Sequence, residues 1–575
     1  MIQAKKSVRK MEGYSPPLEG REEGLRLDFN ENTIGCSPKV VQALKKVDVS
    51  KFSMYPEYSK FKKKLARFLR VKDDNLLLTN GTDEAIKVVL DTFVEKGDEV
   101  VIPVPTFAMF KIYATIAGAS VKEVAYDDNL SFPVEKVLGS IGARTKVVVI
   151  VNPNNPTGTA VDKNDIVRIV EKARKNDAIV LIDEAYYEFY GKSSIGLRDK
   201  YGNVIVSRTF SKAFGLAGLR LGCIVGQDII VKQLEKVISP YSVNSLAVYC
   251  GDVAIDDLSY VNKYVTDVKQ NKKYLEKGLK SMGLKVFRTN ANFLLVDLGC
   301  RCRYVCKQLA KEGILIRDRS SDALLEGCAR ITVGTKRQCG LLLSRLGPIL
   351  SKGILFDMDG VLADVSSSYR KVIKLTAEFF TGSDISYRQI QAVKEEGGFN
   401  NDWVLTDELI RRDGKEVSFR KVKQKFQEYY LGDGFSGLIT KEKLAISRQI
   451  LANLSERYIL GIVTGRPKVE ASYFLDANKI RKYFPVIICM EDLGKKGKPD
   501  PYGINLAMEK VGLRDAFFFG DAIDDMTAAI GAGVTPVGVI TPGLEQKGES
   551  SLRSKLSEYG AKVVIDDIDD IEKVL

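Results

Sequence analysis

Short runs of β-branched and aliphatic residues recur along the chain, and each is followed by a segment with the spacing of a helix. In the first part of the chain these runs begin at Glu99, Lys146, Ala178 and Asn203. Runs this apolar are typical of strands buried on both faces of a mostly parallel sheet. The pattern therefore predicts an α/β fold.

The pattern changes after about residue 250, where a long helical stretch precedes shorter apolar runs. We expect a large α/β domain over about 45–250. The N-terminal arm and about 251–347 would form a smaller α+β lobe. Together these parts would make a first domain over 1–347.

A second α/β pattern starts at Gly353, directly after a short segment that contains Pro348. We therefore expect a linker at 348–352 and a second domain over 353–575. Between the first two apolar runs of that domain lies helical, charged sequence that is too long for a loop. It predicts an inserted helical cap at about 366–455.

With 575 residues, 45% of them hydrophobic, the chain is long enough for two or more globular domains. Its net charge of +13 is spread without a basic block, so we expect anionic small substrates rather than nucleic acid. No apolar run could span a membrane, and the first residues lack the apolar core of a signal peptide. Nine cysteines without a paired framework favour a reduced, cytoplasmic setting.

The chain contains no histidine, so any catalysis near neutral pH must use Lys, Asp, Tyr, Ser or Arg. Cys300, Cys302 and Cys306 lie close together in the sequence but lack a fourth ligand at a convincing spacing. We interpret these cysteines as buried small side chains rather than as a metal site.

Polar residues follow the apolar runs of the first domain, where the strands should end. They occur in GTDE at 81–84, NPNNPTG at 152–158, DEAY at 183–186 and SKAFGLAGLR at 211–220. Ligands of open α/β sheets collect at the carboxyl ends of the strands, so these side chains should converge. An anion site, a buried carboxylate, a tyrosine, an asparagine and a lysine together suit pyridoxal phosphate, whose aldehyde forms a Schiff base with lysine.

With LDFNEN at 27–32, IRD at 316–318 and RITVGT at 330–335, these motifs make residues 10–345 resemble the fold-type I, class I/II aminotransferases. Within that class they resemble the histidinol-phosphate aminotransferase family. The resemblance implies Lys212 as the catalytic Schiff-base lysine and proton carrier, and Asp183 as the partner of the pyridine nitrogen. It also implies a homodimer in which Tyr55 reaches the cofactor phosphate of a second subunit.

The other residues that the resemblance implies would contact the cofactor or the substrates. Asn155 and Tyr186 would hydrogen-bond the ring oxygen, and Phe107 would stack on the ring. The cofactor phosphate would be bound by Thr82, Asp83, Ser211 and Arg220. The anionic ends of the substrates would be bound by Tyr14, Asn30, Arg317 and Arg330.

Carboxylates follow the apolar runs of the second domain in the same way. DMDG begins at Asp357, TGR at Thr464, KPDP at Lys498 and GDAIDD at Gly520. Carboxylates gathered at strand ends repel one another unless a divalent cation lies among them, and oxygen ligands favour Mg²⁺. An aspartate can attack phosphorus while threonine and lysine neutralise the phosphoryl oxygens, which indicates phosphoryl transfer.

Through these four motifs, residues 353–575 resemble the haloacid dehalogenase superfamily with a helical cap. The resemblance implies Asp357 as the nucleophile and Asp359 as the acid/base, which argues for phosphate rather than carbon–halogen cleavage. Thr464 and Lys498 would bind the phosphoryl group of the substrate. The Mg²⁺ site would comprise Asp357, Asp359, Asp521 and Asp525.

The cap contains EEGGFNNDW at 395–403, which includes the one tryptophan of the sequence. This segment could close over the organic end of a substrate. It could equally be a turn between two helices, with Trp403 in the core of the cap. The sequence leaves both interpretations open.

The two resemblances together predict a bifunctional enzyme of histidine biosynthesis. The first domain would transaminate imidazole acetol phosphate with glutamate, giving histidinol phosphate and 2-oxoglutarate, and the second would then remove the phosphate. One alternative is a threonine-phosphate decarboxylase or aromatic aminotransferase fused to a phosphoglycolate-like phosphatase. The other is a second domain that serves only as a sensor or oligomerisation module.

Overall fold

The computed structural model describes residues 2–9, 11, 13, 20–394, 396, 399, 401–541 and 546–575. The chain divides into two compact units, Met1–Leu346 and Gly347–Leu575. The division falls within the helix Lys336–Leu350, and the next strand begins at Lys352. Most of the predicted linker at 348–352 is instead helical. The helix continues past Pro348, and the Ser351 N–H donates to the Gly347 carbonyl at 3.1 Å.

A seven-stranded sheet forms the centre of the first unit. All its strands run parallel except Gly222–Val225, which is antiparallel to both of its neighbours. In spatial order the strands are Leu76–Thr79, Gly222–Val225, Val204–Thr209, Ile179–Asp183, Thr145–Val151, Glu99–Val104 and Ser120–Ala125. The central strands are buried at every position except Lys146, as the apolar runs predict, and the α/β fold class is confirmed.

A smaller four-stranded antiparallel sheet lies in the same unit, with the spatial order Arg317–Asp318, Cys328–Thr332, Phe293–Asp297 and Lys285–Val286. The short strand Leu25–Arg26 pairs in parallel with Ile314–Leu315 and so joins the N-terminal segment to this region. The helices of the unit are Lys6–Arg9, Pro38–Leu44, Ser50–Ser53, Ser59–Leu69, Gly81–Phe93, Met109–Ala117, Val134–Ser140, Lys163–Arg174, Tyr187–Tyr190, Asp228–Leu234, Ser245–Ile255, Leu258–Ser281, Cys302–Lys311 and Lys336–Leu350.

Of the three clustered cysteines that were expected to be buried, only Cys302 is buried. Cys302 is buried and its Sγ donates to Asp318 Oδ1 at 3.5 Å. Cys306 is half-buried, and Cys300 is exposed because it lies in the short turn Gly299–Arg301 before the helix.

The second unit is built on a six-stranded, fully parallel sheet. Its spatial order is Val486–Ile488, Ile459–Val463, Lys352–Phe356, Asp515–Gly520, Thr535–Val539 and Val563–Ile565. The helix Arg448–Ser455 precedes the second strand, and the helices Lys468–Ala477, Met490–Leu493, Tyr502–Val511, Ile523–Gly531 and Gln546–Glu558 follow later strands. Among the described residues of either unit, no helix is both long and apolar enough to cross a membrane.

Among the described residues, five α-helices lie between the first two strands of this sheet, and the first four form the insertion where the cap was predicted. These four are Tyr369–Thr381, Tyr387–Lys394, Asp402–Arg412 and Phe419–Leu431. A two-stranded antiparallel ribbon, Ala363–Asp364 with Lys443–Leu444, frames this insertion. The helix Arg448–Ser455 packs against the strand Ile459–Val463 and belongs to the sheet layer, so the insertion ends earlier than the predicted residue 455.

Candidate active sites

A cavity of about 510 Å³ lies in the first unit where the strands ending at Val151, Asp183 and Thr209 meet. Carboxyl ends of parallel strands share one edge of a sheet, which is why polar residues distant in sequence converge there. The predicted site residues that line this cavity are Asn30, Thr82, Asp83, Phe107, Asn155, Asp183, Tyr186, Ser211, Lys212, Arg220, Arg317 and Arg330.

Lys212 and Asp183 both lie in this cavity, and burial shifts their pKa values in opposite directions. The Lys212 ammonium donates to the Phe29 carbonyl at 2.9 Å. Burial, reinforced by the Arg330 charge, lowers the pKa of Lys212 to about 8. The Ser207 hydroxyl donates to Asp183 Oδ1 at 2.8 Å, while burial raises the pKa of Asp183 to about 6. The pair therefore offers a readily neutralised amine and a carboxylate that a cationic partner would stabilise.

The end of the cavity around Arg220 could bind an anion. Its guanidinium donates to Asp83 at 2.6 Å, beside the N-terminus of the helix Gly81–Phe93. Gly81 has a φ of +74°, and a Cβ there would come within 2.6 Å of Arg220 Nη2. The glycine therefore lets the helix start close to the guanidinium, so that N–H groups and a cation face one point. Ser211 lies at the same end, and its Oγ accepts from the Thr209 hydroxyl at 2.9 Å.

Arg330 approaches the cavity from the strand Cys328–Thr332 of the smaller sheet. It donates to Asn155 Oδ1 at 2.5 Å and to the Asp28 carbonyl. On the same side, Asn30 Nδ2 donates to the Tyr186 hydroxyl at 2.9 Å. Cations from the smaller sheet and amide and phenol groups from the larger one thus face the same space.

Sequence reasoning missed two further arginines that line this cavity, Arg21 and Arg319. Arg21 donates to Asp28 and Glu31, each at 3.0 Å. Arg319 follows Arg317 by two residues, the spacing that puts side chains on one face of a strand, and this signal could have revealed it. No comparable signal marks Arg21.

Two predicted residues of the first site are not among the residues that line the cavity. Tyr55 is 75% exposed and stacks on Tyr241 with ring centroids 4.2 Å apart. It lies on the surface because the short helix Ser50–Ser53 before it buries no residue. Tyr14 lies outside the residues that the structure describes.

A second cavity, of about 240 Å³, lies in the second unit between the sheet and the cap. Its sheet side includes Asp357, Asp359, Lys498 and Asp521. One carboxylate oxygen from each of Asp357, Asp521 and Asp525 lies within 4.8 Å of the others. The predicted carboxylates at the ends of two neighbouring strands are therefore brought together.

Lys498 balances part of the negative charge of this cluster. Its Nζ lies 2.5 Å from Asp357 Oδ1 and 2.5 Å from Asp525 Oδ1. Burial, together with the neighbouring carboxylates, raises the pKa of Asp357 despite the opposing charge of Lys498. Asp521 Oδ2 accepts from the Thr541 hydroxyl at 2.6 Å.

The donor set fits a divalent cation with oxygen ligands such as Mg²⁺. Three crowded carboxylates facing one point repel one another, and a doubly charged ion would relieve that repulsion. The backbone also approaches closely, because a Cβ at Gly360 (φ +78°) would collide with the Asp521 carboxylate. The carboxylates Asp357, Asp521 and Asp525 could hold such an ion.

Asp359 differs from its predicted place among the metal ligands, because its carboxylate turns to Arg466. The Arg466 Nε donates to Asp359 Oδ1 at 2.6 Å, and a second guanidinium nitrogen contacts the same oxygen. Arg466 is fully buried and also donates to Glu442 at 2.8 Å. The ion pair removes the Asp359 side chain from the cluster of three carboxylates.

Thr464 also differs from its predicted position beside the phosphoryl group. It is fully buried, is not among the residues lining the second cavity, and its hydroxyl accepts from the Arg466 N–H at 3.2 Å. The hydroxyl thus closes the turn after the strand Ile459–Val463 and holds the N–H of the arginine that contacts Asp359.

Cap residues line the other side of the second cavity, and sequence reasoning gave Tyr369 and Lys394 no site role. These cap residues are Tyr369, Lys394, Asn401, Asp402 and Trp403. The last three residues of 395–403 line the cavity, as the first interpretation of this segment expects, while Trp403 is also buried in the core of the cap, as the second expects. Residues 395, 397, 398 and 400 of the segment lie outside the described part of the chain.

Comparison with known proteins agrees with this division of the chain. The aminotransferase class I and II family matches residues 22–346, and the haloacid dehalogenase-like hydrolase family matches residues 354–539. A histidinol-phosphate aminotransferase of Caldanaerobacter subterraneus is 38% identical over 336 residues, 57% of this chain and 93% of the relative. One of Methanocaldococcus jannaschii is 36% identical over 60% of this chain and 94% of its own length.

Solved structures give the same result for the first unit. A putative histidinol-phosphate aminotransferase from Erwinia carotovora atroseptica superposes with a TM-score of 0.54 at 26% identity, over 56% of this chain and 95% of its own. The fold is shared with a histidinol-phosphate aminotransferase from Sinorhizobium meliloti in complex with pyridoxal-5'-phosphate, with a TM-score of 0.56 at 24% identity over 60% and 97% of the two chains. The chain is therefore an enzyme of the class I and II aminotransferase family that carries a second, haloacid dehalogenase-like hydrolase domain.

Proposed function

We propose that the chain catalyses two consecutive reactions of histidine biosynthesis. The first unit transfers the amino group of glutamate to imidazole acetol phosphate, giving histidinol phosphate and 2-oxoglutarate. The second unit hydrolyses histidinol phosphate to histidinol and inorganic phosphate. The observation that carries the proposal is the meeting of Lys212 and Asp183 in an arginine-lined cavity of a chain whose relatives are histidinol-phosphate aminotransferases.

The residues of the first cavity fit pyridoxal phosphate. When bound, this cofactor supplies an aldehyde that takes up the amino group and a ring that stabilises the adjacent carbanion. The buried Asp183 would face the pyridine nitrogen, because a cationic partner relieves the cost of its burial. Thr82, Ser211 and Arg220 would bind the phosphate at the helix N-terminus. Asn155, Tyr186 and Phe107 would orient the ring from the remaining sides.

Lys212 would act as the amine that bonds to the aldehyde and as the group that moves the substrate proton. Its lowered pKa keeps a substantial fraction of the amine neutral near pH 8. Arg330, Arg317 and Asn30 would bind the anionic ends of the two substrates. The further arginines, Arg21 and Arg319, add positive charge to a cavity that would receive the carboxylates of glutamate or the phosphate of imidazole acetol phosphate.

In the second cavity, Asp357 would attack the phosphorus of the ester while the bond to the alcohol oxygen breaks. Asp359 would donate a proton to that leaving oxygen and then take one from the water that hydrolyses the phosphorylated aspartate. Lys498 would neutralise phosphoryl oxygens. Asp357, Asp521 and Asp525 would hold Mg²⁺, which supplies further charge neutralisation.

We include a homodimer of the first unit in the proposal. Tyr55 lies in an exposed apolar patch with Val49, Phe52, Met54 and Tyr241. A second copy of the chain would cover this patch and bring Tyr55 towards the cofactor phosphate of its neighbour. The nine free cysteines are consistent with a reducing, cytoplasmic setting.

Incubation of the full-length protein with imidazole acetol phosphate, glutamate, pyridoxal phosphate and Mg²⁺ tests both reactions together. We expect free histidinol and inorganic phosphate, measured by mass spectrometry and a phosphate assay. Lys212→Ala should form neither product, whereas Asp357→Asn should accumulate histidinol phosphate. Preferred transamination of aromatic 2-oxo acids would contradict the first assignment. Binding of phosphate esters without turnover would contradict the second and favour a sensor.

A further inference from the structure

We propose that Asp402 and Trp403 of the cap form a subsite for the organic end of the ester, which selects phosphate monoesters bearing a primary ammonium group. The inference rests on the proposed phosphatase function and extends it to the substrate. It implies that the second unit distinguishes the amine produced by transamination from its ketone precursor, although both carry the same phosphate.

The position of the two residues is the first argument. They line the cavity of about 240 Å³ that also contains Asp357, Asp359 and Lys498, the groups proposed to act on the phosphate. An ester bound there by its phosphate must place the rest of its atoms towards the remaining walls. Asp402 and Trp403 supply one of those walls.

The local backbone around these residues is fixed rather than free to turn away. Asn401 caps the helix Asp402–Arg412, and its Oδ1 accepts from the N–H groups of Trp403 at 3.0 Å and Val404 at 3.4 Å. Trp403 is 8% exposed, and the Lys423 ammonium lies 3.7 Å from the centroid of its ring. The indole is therefore held in place and offers the cavity a rigid aromatic edge.

The charges of the cavity are the second argument. Asp357 is paired with Lys498, Asp359 is paired with Arg466, and Asp521 accepts a hydrogen bond from Thr541. Within the described residues, by contrast, no hydrogen bond or salt bridge reaches the Asp402 carboxylate. Lys394, which also lines the cavity, is close enough to favour the charged form of Asp402 but forms no salt bridge with it.

A carboxylate in this environment is stabilised by a cation that brings its own hydrogen-bond donors. Burial raises the pKa of Asp402 to about 6, because the charged form gives up part of its hydration in the cavity. A primary ammonium group supplies both the charge and three donors. A ketone oxygen at the same carbon supplies neither and would face the carboxylate with its negative end.

This selection would set the order of the two proposed reactions. Histidinol phosphate carries an ammonium group beside the carbon that bears the phosphate ester, whereas imidazole acetol phosphate carries a carbonyl there. A phosphatase without this subsite would hydrolyse the ketone and waste the substrate of the first unit. With Asp402 in place, hydrolysis would follow amination.

The test compares hydrolysis of histidinol phosphate, imidazole acetol phosphate and p-nitrophenyl phosphate by the full-length protein with Mg²⁺ and without amino donor. We expect the wild-type protein to prefer the amine over the ketone. Asp402→Asn should lower kcat/KM for histidinol phosphate roughly 10- to 100-fold, mainly through KM. The same change should leave p-nitrophenyl phosphate and the ketone nearly unaffected. Glu416→Gln, an exposed carboxylate of the same cap, is the matched control.

Each outcome separates this inference from the function on which it rests. Hydrolysis of none of the esters by the wild-type protein would contradict the phosphatase function itself. An unchanged amine-to-ketone ratio in Asp402→Asn, or an equal loss on all three esters, would overturn only the subsite. Equal wild-type rates on amine and ketone would also overturn it, and that measurement does not depend on the folding of any variant.

Discussion

The Arg466 guanidinium donates through Nε to Asp359 Oδ1 at 2.6 Å, so the proposed acid/base is held by a fully buried cation. Lysine at this position would keep the charge but lose the planar, two-nitrogen contact. We expect Arg466→Lys to lower kcat for phosphate release about 10- to 100-fold with little change in KM, because the proton donor is displaced rather than removed. Steady-state kinetics check this expectation. Arg388→Lys, in an exposed part of the cap, should behave as wild type, and an unchanged kcat in Arg466→Lys would contradict the positioning role.

Pyridoxal phosphate should bond to Lys212 faster as the pH rises towards about 8, the value to which burial lowers the pKa of its amine. Only the neutral amine attacks the aldehyde, so the rate should rise roughly tenfold per pH unit below the pKa and level off above it. Mixing the cofactor-free protein with pyridoxal phosphate and following absorbance near roughly 420 nm measures the rate. Lys212→Ala should show no such phase. A midpoint near the ordinary lysine value of 10.5 would contradict the effect of burial.

Asp183→Asn should stabilise the cofactor-free protein at pH 7 while abolishing transamination. The pKa of Asp183 rises from 3.8 to about 6 on folding, so the folded state retains its proton over that interval after the unfolded state has lost it. The free energy of unfolding therefore falls as the pH rises from about 4 to 6, and stays lowered by about 1–3 kcal/mol above that. Asparagine can still accept a hydrogen bond from Ser207 but does not ionise, so the variant does not lose this part of the free energy of unfolding. Denaturant titrations of both proteins at pH 4, 5, 6 and 7 check the prediction. If the free energy of unfolding of wild type and Asp183→Asn changes with pH in the same way, the prediction is wrong.

Mg²⁺ should raise the melting temperature of the second unit, because an ion that binds only the folded state stabilises it. At a concentration of about 100 times its Kd the effect is about 2.7 kcal/mol, or about 5 °C or more for a domain of this size. Asp521→Asn should remove most of the shift, since Asp521 belongs to the three-carboxylate cluster. The control is Asp515→Asn, an exposed carboxylate at the opposite end of the same strand. Equal shifts in both variants would rule out the proposed site.

Phe52→Asp should dissociate the proposed dimer and weaken pyridoxal phosphate binding. The change places a charge in the exposed patch around Tyr55, where a second copy would otherwise bury apolar surface. Light scattering after size-exclusion chromatography gives the mass, and spectroscopic titration gives the affinity for the cofactor. Leu341→Asp, an exposed apolar residue on another helix, should leave both unchanged. A wild-type protein that is monomeric at micromolar concentration would contradict the proposal.

The sequence predicts the α/β fold and most of the first cavity for one physical reason. Apolar runs long enough to be strands buried on both faces define the sheet, and the polar residue after each run must lie at its carboxyl edge. Lys212, Asp183 and Asn155 are all placed by this rule, although they come from different strands. The same rule places Asp357 and Asp521 in the second unit.

Side-chain direction and tertiary partners are not fixed by that rule. Asp359 follows its strand as Asp357 does, yet its carboxylate turns to Arg466, which the sequence marks only as one more cation after a strand. Thr464 also follows a strand, yet its hydroxyl accepts from the backbone N–H of Arg466, a partner that the strand-end rule does not specify. Asp402 begins a cap helix, so no strand-end rule applies to it, and only the packing of the cap brings it to the cavity.

Arg330 binds two parts of the first unit that lie far from it along the chain, the carbonyl of Asp28 and the amide oxygen of Asn155. A substrate carboxylate that pairs with Arg330 competes with both bonds. Binding of such a substrate would then break hydrogen bonds of Arg330 that connect the smaller sheet to the rest of the unit, and its release would restore them. Under the proposed function, Arg330 would thus link binding of the amino donor to the contact between the two sheets of this unit.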